Sequence, residues 1–391
     1  MAVTWLHISD LHVRSDNSYD RAVVFQALVS SVRHFRESDG RCPDLIFATG
    51  DIAHSGKPDE YSFAAKFLDE LLGASGLERT HLYVVPGNHD VDRTIGNQLT
   101  RTLYSRDEAD KYFDPGARKL HLIEKLGAFL RWHRIFFDGI RTMPDNSTCG
   151  PVELVEVRGH RLGILPINTA LFCQDDNDHE QLFVGRRCLS PAIEELDQLS
   201  AHLKIALMHH PLHDLSHIER ANIKAGLIDH LDVILSGHLH EAGSGTVEMW
   251  RGSNLYCAAG ATYQTRKWPN TAYYATFDRD HVTIFPTRYE DHPREAWTLD
   301  TSLFPDTGYE ASFPVPREPD FRSFRTPGSD QYGGNRGKPL ISARFPAWSK
   351  VIPQVAAFAP TQQDDKHVRQ KRNKKRKKGQ DQQKGRGKGK S

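Results

Sequence analysis

Residues 82–92 place three chemically capable side chains directly after a hydrophobic run. The run, over residues 82–85, predicts a buried strand, and a Pro-Gly pair ends it. Asn88, His89 and Asp90 follow at the carboxyl end of that strand, where open α/β sheets place their ligands. An amide oxygen can bind a hard metal ion, an imidazole can donate to a phosphoryl oxygen, and a carboxylate can orient that imidazole. Alone, the same text also fits a polar turn.

Two more motifs in the first part of the chain carry metal-type ligands. Asp10 and His12 stand two residues apart, so in an extended segment they point the same way and could share one metal. A surface turn is the other interpretation of this triplet. Asp51 follows Gly50, where glycine permits close backbone approach and the carboxylate could bridge two cations.

Histidine motifs follow two later apolar runs. The run over residues 204–208 ends in His209-His210-Pro211, and the run over residues 232–236 ends in Gly237-His238-Leu239-His240. His238 and His240 again stand two apart and face one way.

Helical periodicity separates the early strands. Apolar spacing predicts helices over residues 21–36 and 58–72, between strands over residues 3–9, 44–49 and 82–85. This βαβ rhythm is typical of a mostly parallel sheet, in which each strand here ends in candidate ligands.

In this order, D-x-H, GD, GNHD, HHP and GHLH resemble the calcineurin-like metallophosphoesterase superfamily over roughly residues 3–285. The segments LHISDLH and GDIAHSGKPDEY are most similar to the bacterial cyclic-nucleotide and glycerophosphodiester phosphodiesterase branch. The resemblance implies an α/β fold, a four-layer α/β/β/α sandwich of two mixed sheets, with a two-metal centre between the sheets.

The resemblance also implies roles for single residues. His89 would contact a phosphoryl oxygen or protonate the leaving group, and Asp90 would orient His89. His209 matches the ligand of the family's H-x-P pattern, and His210 its variable place. The implied metal ligands are Asp10, His12, Asp51 and His240 for the first ion, and Asp51, Asn88, His209 and His238 for the second.

Departures from two relatives narrow the function. Purple acid phosphatases carry a Tyr ligand where this chain has His54 and lack the His of D-x-H, so a ferric–tyrosinate centre is not expected. Related DNA-repair nucleases usually carry a DNA-binding cap, which neither residues 93–150 nor residues 286–365 identify.

The expected enzyme uses two divalent ions, Mn, Fe or Zn, to turn a bridging water into a hydroxide that attacks phosphorus. We expect a phosphodiesterase or phosphatase acting on a small phosphoester or nucleotide. A nuclease whose basic tail guides DNA or RNA is the alternative. A protein-binding scaffold is disfavoured because no ligand position is missing from the motifs.

Composition divides the 391 residues into three parts. Residues 1–285 are expected to form the catalytic domain, with a helical, cap-like insertion over residues 93–150. Residues 286–365 form a Pro-rich extension. Residues 366–391 hold 13 Lys+Arg and carry a net charge of +12, against −11 for the rest of the chain. This tail is expected to be disordered and to contact nucleic acid, or to act only as a non-specific polyanion contact.

Five scattered cysteines without a C-x-x-C pair predict no disulfide framework and favour a reducing cytoplasm. The first residues enter a strand without a signal-type apolar segment, and no apolar run approaches membrane length. We therefore expect a cytoplasmic protein without a membrane partner.

Overall fold

The structure is a computed structural model. It describes residues 1–315, except residues 17, 40, 97, 100–101, 115–119, 175–177, 240–246, 251–253 and 267–268. The predictions for residues 366–391, and those for the Pro-rich extension beyond residue 315, lie outside the described residues. The first compact unit spans Met1–Asp320.

Two sheets carry the fold. The first has the strand order β12-β11-β10-β1-β2-β3, with β13 beside β11, and the second has the order β4-β5-β6-β7-β9-β8. The strands are β1 Val3–Ile8, β2 Leu45–Thr49, β3 Leu82–Val85, β4 Glu153–Val157, β5 His160–Pro166, β6 Leu203–Leu207, β7 Val233–Ser236, β8 Val247–Trp250, β9 Asn254–Ala258, β10 Thr271–Phe277, β11 His281–Glu290, β12 Ala296–Leu299 and β13 Ala311–Pro314.

Each sheet contains a block of parallel strands. β1, β2 and β3 run parallel and reach one edge of the first sheet, and antiparallel strands complete its other side. β5, β6, β7 and β9 run parallel in the second sheet, where antiparallel strands form both edges. Both sheets are therefore mixed, and the ends of their parallel strands present the loops that carry the sequence motifs.

Helices cover the outer faces of the sheets. The α-helices are α1 Tyr19–His34, α2 Pro58–Ser75, α3 Arg93–Gly96, α4 Arg106–Tyr112, α5 Gly127–Phe136, α6 Arg186–Gln198 and α7 Arg220–His230. Short helical turns occur at Phe35–Asp39, Arg79–His81, Asn88–Asp90, Leu120–Leu126, Leu212–Asp214 and Pro305–Thr307. One apolar cluster joins α1, α2 and α5 to the first sheet, and another joins α6 and α7 to the second.

A third apolar cluster lies between the sheets. Along β1, Trp5 belongs to this inner cluster, whereas Leu6 and Ile8 belong to the cluster under the helices. Side chains of a strand alternate between its two faces, so an uninterrupted apolar strand is buried on both sides. Each such buried side chain contributes roughly 1.5–3 kcal/mol to folding. The predicted four-layer sandwich of two mixed sheets is confirmed.

The helical insertion packs differently from a cap. Phe129, Trp132 and Phe136 of α5 are buried in the outer cluster of the first sheet. The Trp132 ring stacks on Tyr61 of α2 at a centroid distance of 5.3 Å. α5 therefore belongs to the outer helical layer, and the cap-like placement expected for residues 93–150 does not describe it.

The first sheet continues beyond residue 285, where the catalytic domain was expected to end. β11 runs from His281 to Glu290, so that boundary falls inside a strand. β12 and β13 both pair with β11. Strands beyond residue 285 were not predicted, because a proline such as Pro286 has no backbone N–H to donate and argues against a strand.

No helix in the described part of the chain combines the length and apolar character that a membrane span requires.

Glu219 is a buried acid at the start of α7. Its carboxylate accepts hydrogen bonds from Val184 N at 2.6 Å and Gly185 N at 3.1 Å. Burial raises the pKa of Glu219 from 4.5 to about 7, against the opposing effect of these two donors. Between these two values the folded protein keeps a proton that the unfolded chain has released, so the free energy of unfolding falls as the pH rises through that window.

Glu219→Gln should remove this pH dependence. Between pH 5 and pH 8, the wild type should lose up to about 3 kcal/mol more of its free energy of unfolding than the variant. Urea unfolding at both pH values measures the difference. Exposed Glu194→Gln is the control and should follow the wild type, and identical pH dependence of Glu219→Gln and wild type would contradict the assignment.

Candidate metal centre

The predicted ligands lie at the carboxyl ends of parallel strands from both sheets. Asp10, Asp51 and Asn88 follow β1, β2 and β3 of the first sheet. His209 and His238 follow β6 and β7 of the second. Because the two sheets pack face to face, these five side chains meet at one edge of the sandwich.

Asn88 joins the two sheets at the site. Its Oδ1 atom lies 3.1 Å from His209 Nε2 and 3.1 Å from His238 Nδ1. Asp51 Oδ2 lies 3.4 Å from the same His209 nitrogen. The predicted ligands of the second ion are thus brought together.

The ligands of the first ion adjoin this group. His12 Nε2 lies 3.9 Å from Asp10 Oδ1, and His12 Nδ1 lies 4.0 Å from Asp51 Oδ2. These three residues offer ligand atoms within 4.8 Å of one another, all from buried side chains. Asp10 Oδ2 also accepts a hydrogen bond from His238 N at 3.1 Å, which ties the two halves together. His240, the remaining predicted ligand, lies outside the described residues.

The hydrogen-bond partners of His209 show which of its ring nitrogens can bind a cation. His209 Nδ1 lies 2.6 Å from the carbonyl oxygen of Thr49, which can only accept, so Nδ1 carries a hydrogen. The lone pair of neutral His209 therefore points from Nε2 towards the oxygens of Asp51 and Asn88. Asp51 Oδ2 is buried without a hydrogen-bond partner among the described residues. Three electron-pair donors face one point, and a positive ion or a proton must lie between them.

The pKa values of the pair reflect the same need. Burial lowers the pKa of His209, but Asp51, Asp10 and the Thr49 carbonyl together outweigh burial and raise it to about 9. Burial raises the pKa of Asp51, but His209 and its neighbours outweigh it and hold the pKa well below its usual range. Asp51 is therefore an ionised carboxylate, the form that binds metals.

The backbone is strained at four predicted ligands. Asp10, His12, Asp51 and His238 have φ angles of 54°, 45°, 53° and 71°, in the left-handed region. Such conformations cost roughly 1–3 kcal/mol each for residues other than glycine, and they cluster at functional sites. The presence of four such residues at one place therefore indicates a functional site.

Two motif glycines are required by close approach. A Cβ atom on Gly50 would lie 2.4 Å from His209 Nδ1, at a φ of 94° that side chains rarely adopt. A Cβ atom on Gly87 would lie 2.2 Å from Asp51 Oδ1. The glycines of GD and GNHD therefore make room for the ligands themselves.

His89 is held beside the ligands. Its backbone N–H donates to Asp51 Oδ1 at 2.8 Å, and its Nδ1 lies 2.7 Å from the carbonyl oxygen of His54. The carbonyl accepts, so Nδ1 carries a hydrogen in this bond. A cavity of about 270 Å³ opens here, lined by His12, Arg14, His54, His89, Tyr263 and Gln264, among others.

Asp90 has other partners than His89, which corrects the expectation that it orients that ring. Its Oδ2 accepts from Ile52 N at 3.2 Å and Gly87 N at 2.9 Å. Its Oδ1 accepts from Ala53 N at 2.9 Å and from the Tyr61 hydroxyl at 3.0 Å. The carboxylate therefore joins the GD and GNHD loops, while the His54 carbonyl takes the orienting place.

His210 lies beside the ligands, with one ring nitrogen within 4.8 Å of ligand atoms of His209 and His238, but both of its ring nitrogens have other partners. Its Nδ1 lies 2.7 Å from Thr169 Oγ1, and its Nε2 lies 3.5 Å from Cys173 Sγ. Burial lowers the pKa of His210 well below its usual value. Of the two adjacent histidines, His209 is the one aimed at Asp51 and Asn88.

Three contributors to the site were missed by sequence reasoning. Thr49 and His54 act through backbone carbonyls, which no side-chain pattern reveals. Tyr61 lies one helical turn into α2, where a tyrosine fits any helix face. Only the position of Tyr61, ten residues after the Asp of GD, offered a signal.

A family model described as calcineurin-like phosphoesterase matches residues 3–242. The match spans more than half of the chain, so the chain belongs to the calcineurin-like phosphoesterase family. The predicted family is confirmed.

Curated relatives cover different shares of the chain. An uncharacterized metallophosphoesterase-like protein of Bacillus subtilis, YydB, is 32% identical over 251 residues, which are 62% of this chain and 50% of that protein. The glycerophosphodiester phosphodiesterase GpdQ of Enterobacter lignolyticus is 36% identical over 89 residues, 22% of this chain and 28% of that protein. The matched part of the chain thus spans half or less of the length of each of these relatives.

Among solved structures, a dimetal phosphatase from Danio rerio superposes with a TM-score of 0.45 at 12% identity. The superposition covers 76% of this chain and 98% of that one.

Asp90→Asn should loosen both ligand loops, because an NH₂ group would replace one acceptor facing backbone N–H donors. We expect a loss of about 3 kcal/mol in the free energy of unfolding, measured by urea denaturation of metal-free protein. Tyr61→Phe removes one donor only and should lose about 1 kcal/mol. Asp92→Asn, which alters a partly exposed pair with Lys57, is the control and should change little. Wild-type stability of Asp90→Asn would refute this role.

Proposed function

We propose that this protein is a dinuclear-metal-dependent phosphodiesterase that acts on a small phosphodiester or nucleotide. The observation that carries the proposal is the position of Asp51, whose Oδ2 lies 4.0 Å from His12 Nδ1, of the first ligand group, and 3.4 Å from His209 Nε2, of the second. One buried carboxylate can bridge two ions only where ligands converge on it from both sides. Family membership supplies the class of reaction, phosphoester hydrolysis.

The donor set fits Mn, Fe or Zn. Imidazole nitrogens and carboxylate and amide oxygens without thiolate suit these ions and argue against a closed structural zinc site. Asp10, His12 and Asp51 would hold one ion, and Asp51, Asn88, His209 and His238 the other. Such ions, when bound, activate a water and neutralise charge on the phosphoryl oxygens.

His89 is proposed to hold the proton that the leaving group receives. Its Nδ1 hydrogen is donated to the His54 carbonyl and its side chain lines the cavity, so the hydrogen passed to the leaving group would be one on Nε2. Donation from Nε2 to the departing oxygen leaves a neutral imidazole that keeps its orienting hydrogen bond. Contact with a phosphoryl oxygen is the alternative role of the same N–H.

The cavity favours a small substrate with a negative charge. A volume of about 270 Å³ suits a compact alcohol, sugar or phosphate group, and Arg14 supplies a cation on its wall. Similarity to the glycerophosphodiester phosphodiesterase over 89 residues also favours a diester. The proposed setting is the cytoplasm, on the ground that all five cysteines are free thiols.

Two variants separate metal binding from proton transfer. Asp51→Asn removes the bridging carboxylate and should bind one or two fewer ions per chain than the wild type, with activity lost. His89→Ala should keep both ions but lose about 10²–10⁴-fold in turnover of an alkyl phosphodiester, which needs a proton on its leaving oxygen.

An aryl diester tests the role of His89 further, because a nitrophenolate departs without protonation. His89→Ala should hydrolyse it much closer to the wild-type rate. An equal loss on both esters would assign His89 to a phosphoryl oxygen instead. As many bound ions in Asp51→Asn as in the wild type, counted by elemental analysis, would contradict the dinuclear assignment.

Removal of residues 366–391 tests the basic tail, whose net charge is +12. Hydrolysis of a small diester should be unchanged, because the proposed ligands and cavity lie within residues 10–265. A tail that recruits nucleic acid should contribute salt-dependent affinity for single-stranded DNA or RNA, measured by fluorescence anisotropy at low and moderate salt. Loss of polynucleotide cleavage together with that affinity would instead favour a nuclease.

A further inference from the structure

A second group of metal-type donors lies outside the centre described above. His179 Nδ1, His213 Nε2 and an oxygen of Asp214 all lie within 4.8 Å of one another. The two nitrogens are 2.7 Å and 3.7 Å from Asp214 Oδ1. Donors about 2.1 Å from a shared ion stand roughly 3.0–3.4 Å apart at octahedral or tetrahedral angles. The observed spacings bracket that range.

Backbone contacts hold the two contributing segments together. Leu182 N donates to the carbonyl oxygen of Asp214 at 3.2 Å, and Ser216 N donates to that of Leu182 at 2.8 Å. Arg220 adds a clamp, because its Nη1 donates to Glu180 Oε1 at 2.9 Å and to the carbonyl oxygen of His213 at 3.0 Å. The Arg220 guanidinium therefore binds both Glu180, the neighbour of His179, and the backbone of His213.

Burial differs across the group in a way that suits an exchangeable ion. The Asp214 side chain is 9% exposed, whereas those of His179 and His213 are 64% and 57% exposed. A fixed, buried carboxylate would anchor the ion, and the histidines would bind it from the solvent side. Two imidazoles and one carboxylate suit divalent Mn, Fe, Co or Zn, with water at the remaining positions.

We propose that His179, His213 and Asp214 bind a third divalent transition-metal ion, at a site separate from the dinuclear centre. The other oxygen of Asp214 lies 3.7 Å from His238 Nε2, so the same carboxylate faces a proposed ligand of the centre. Charge on the third ion would therefore weaken the field that Asp214 exerts on His238. This coupling rests on the proposed function, whereas the site itself does not.

Zinc binding to the full chain tests the proposal. Equilibrium dialysis against rising Zn²⁺, with metal counted by elemental analysis, should give one more ion per chain in the wild type than in His179→Ala or His213→Ala. His217→Ala is the matched control, since His217 is an exposed histidine near the site but outside the group. It should bind as much zinc as the wild type.

Two outcomes overturn the third site: equal zinc binding by wild type, His179→Ala and His213→Ala, or an equal loss in His217→Ala. The first would leave His179 and Asp214 as an ion pair only. Asp51→Asn separates this result from the proposed function. If Asp51→Asn binds as much zinc as the wild type while His179→Ala binds one ion less, the dinuclear assignment fails and the third site stands.

Discussion

Positive charge between the two sheets is the condition on which this structure depends. Asp10 and Asp51 are fully buried, and the lone pairs of His209 and Asn88 face the same point. Burying a carboxylate without a compensating charge costs far more than one domain's stability allows. A proton on His209 would meet that need, since Asp51 and its neighbours raise the pKa of His209 to about 9, and the nitrogen and oxygen donors suit a divalent ion equally well.

Backbone strain follows from the same condition. Donors can converge on one point only if the chain turns sharply after each strand, and four ligand residues adopt left-handed conformations to do so. Each costs roughly 1–3 kcal/mol, which the packed sheets must offset. Gly50 and Gly87 remove the side chains that would otherwise occupy the ligand space. The motifs are therefore short, because the same one or two residues supply both the ligand and the sharp turn of the backbone.

Sequence could predict the strands, their parallel order and the residues at their ends, because apolar runs and polar breaks are local signals. It could not predict the partners of Asp90, which come from loops 37 and 38 residues away and depend on backbone directions at positive φ. The orienting oxygen of His89 belongs to a backbone carbonyl, which is identical in every residue. The apolar run over residues 281–285 predicted the first half of β11, but its second half, β12 and β13 were missed because prolines interrupt a region whose strands pair antiparallel at a sheet edge.

The division of ligands between the sheets links metal binding to folding. Neither sheet alone brings donors to Asp51 from both sides, since His12 comes from the first sheet and His209 from the second. An ion that binds only the packed sandwich stabilises it by about 2.7 kcal/mol at a hundred times its dissociation constant. This stabilisation is comparable to the conformational cost of one or two ligand residues in the left-handed region. A bound metal ion would therefore offset, in the folded state, the backbone strain at the residues that bind it.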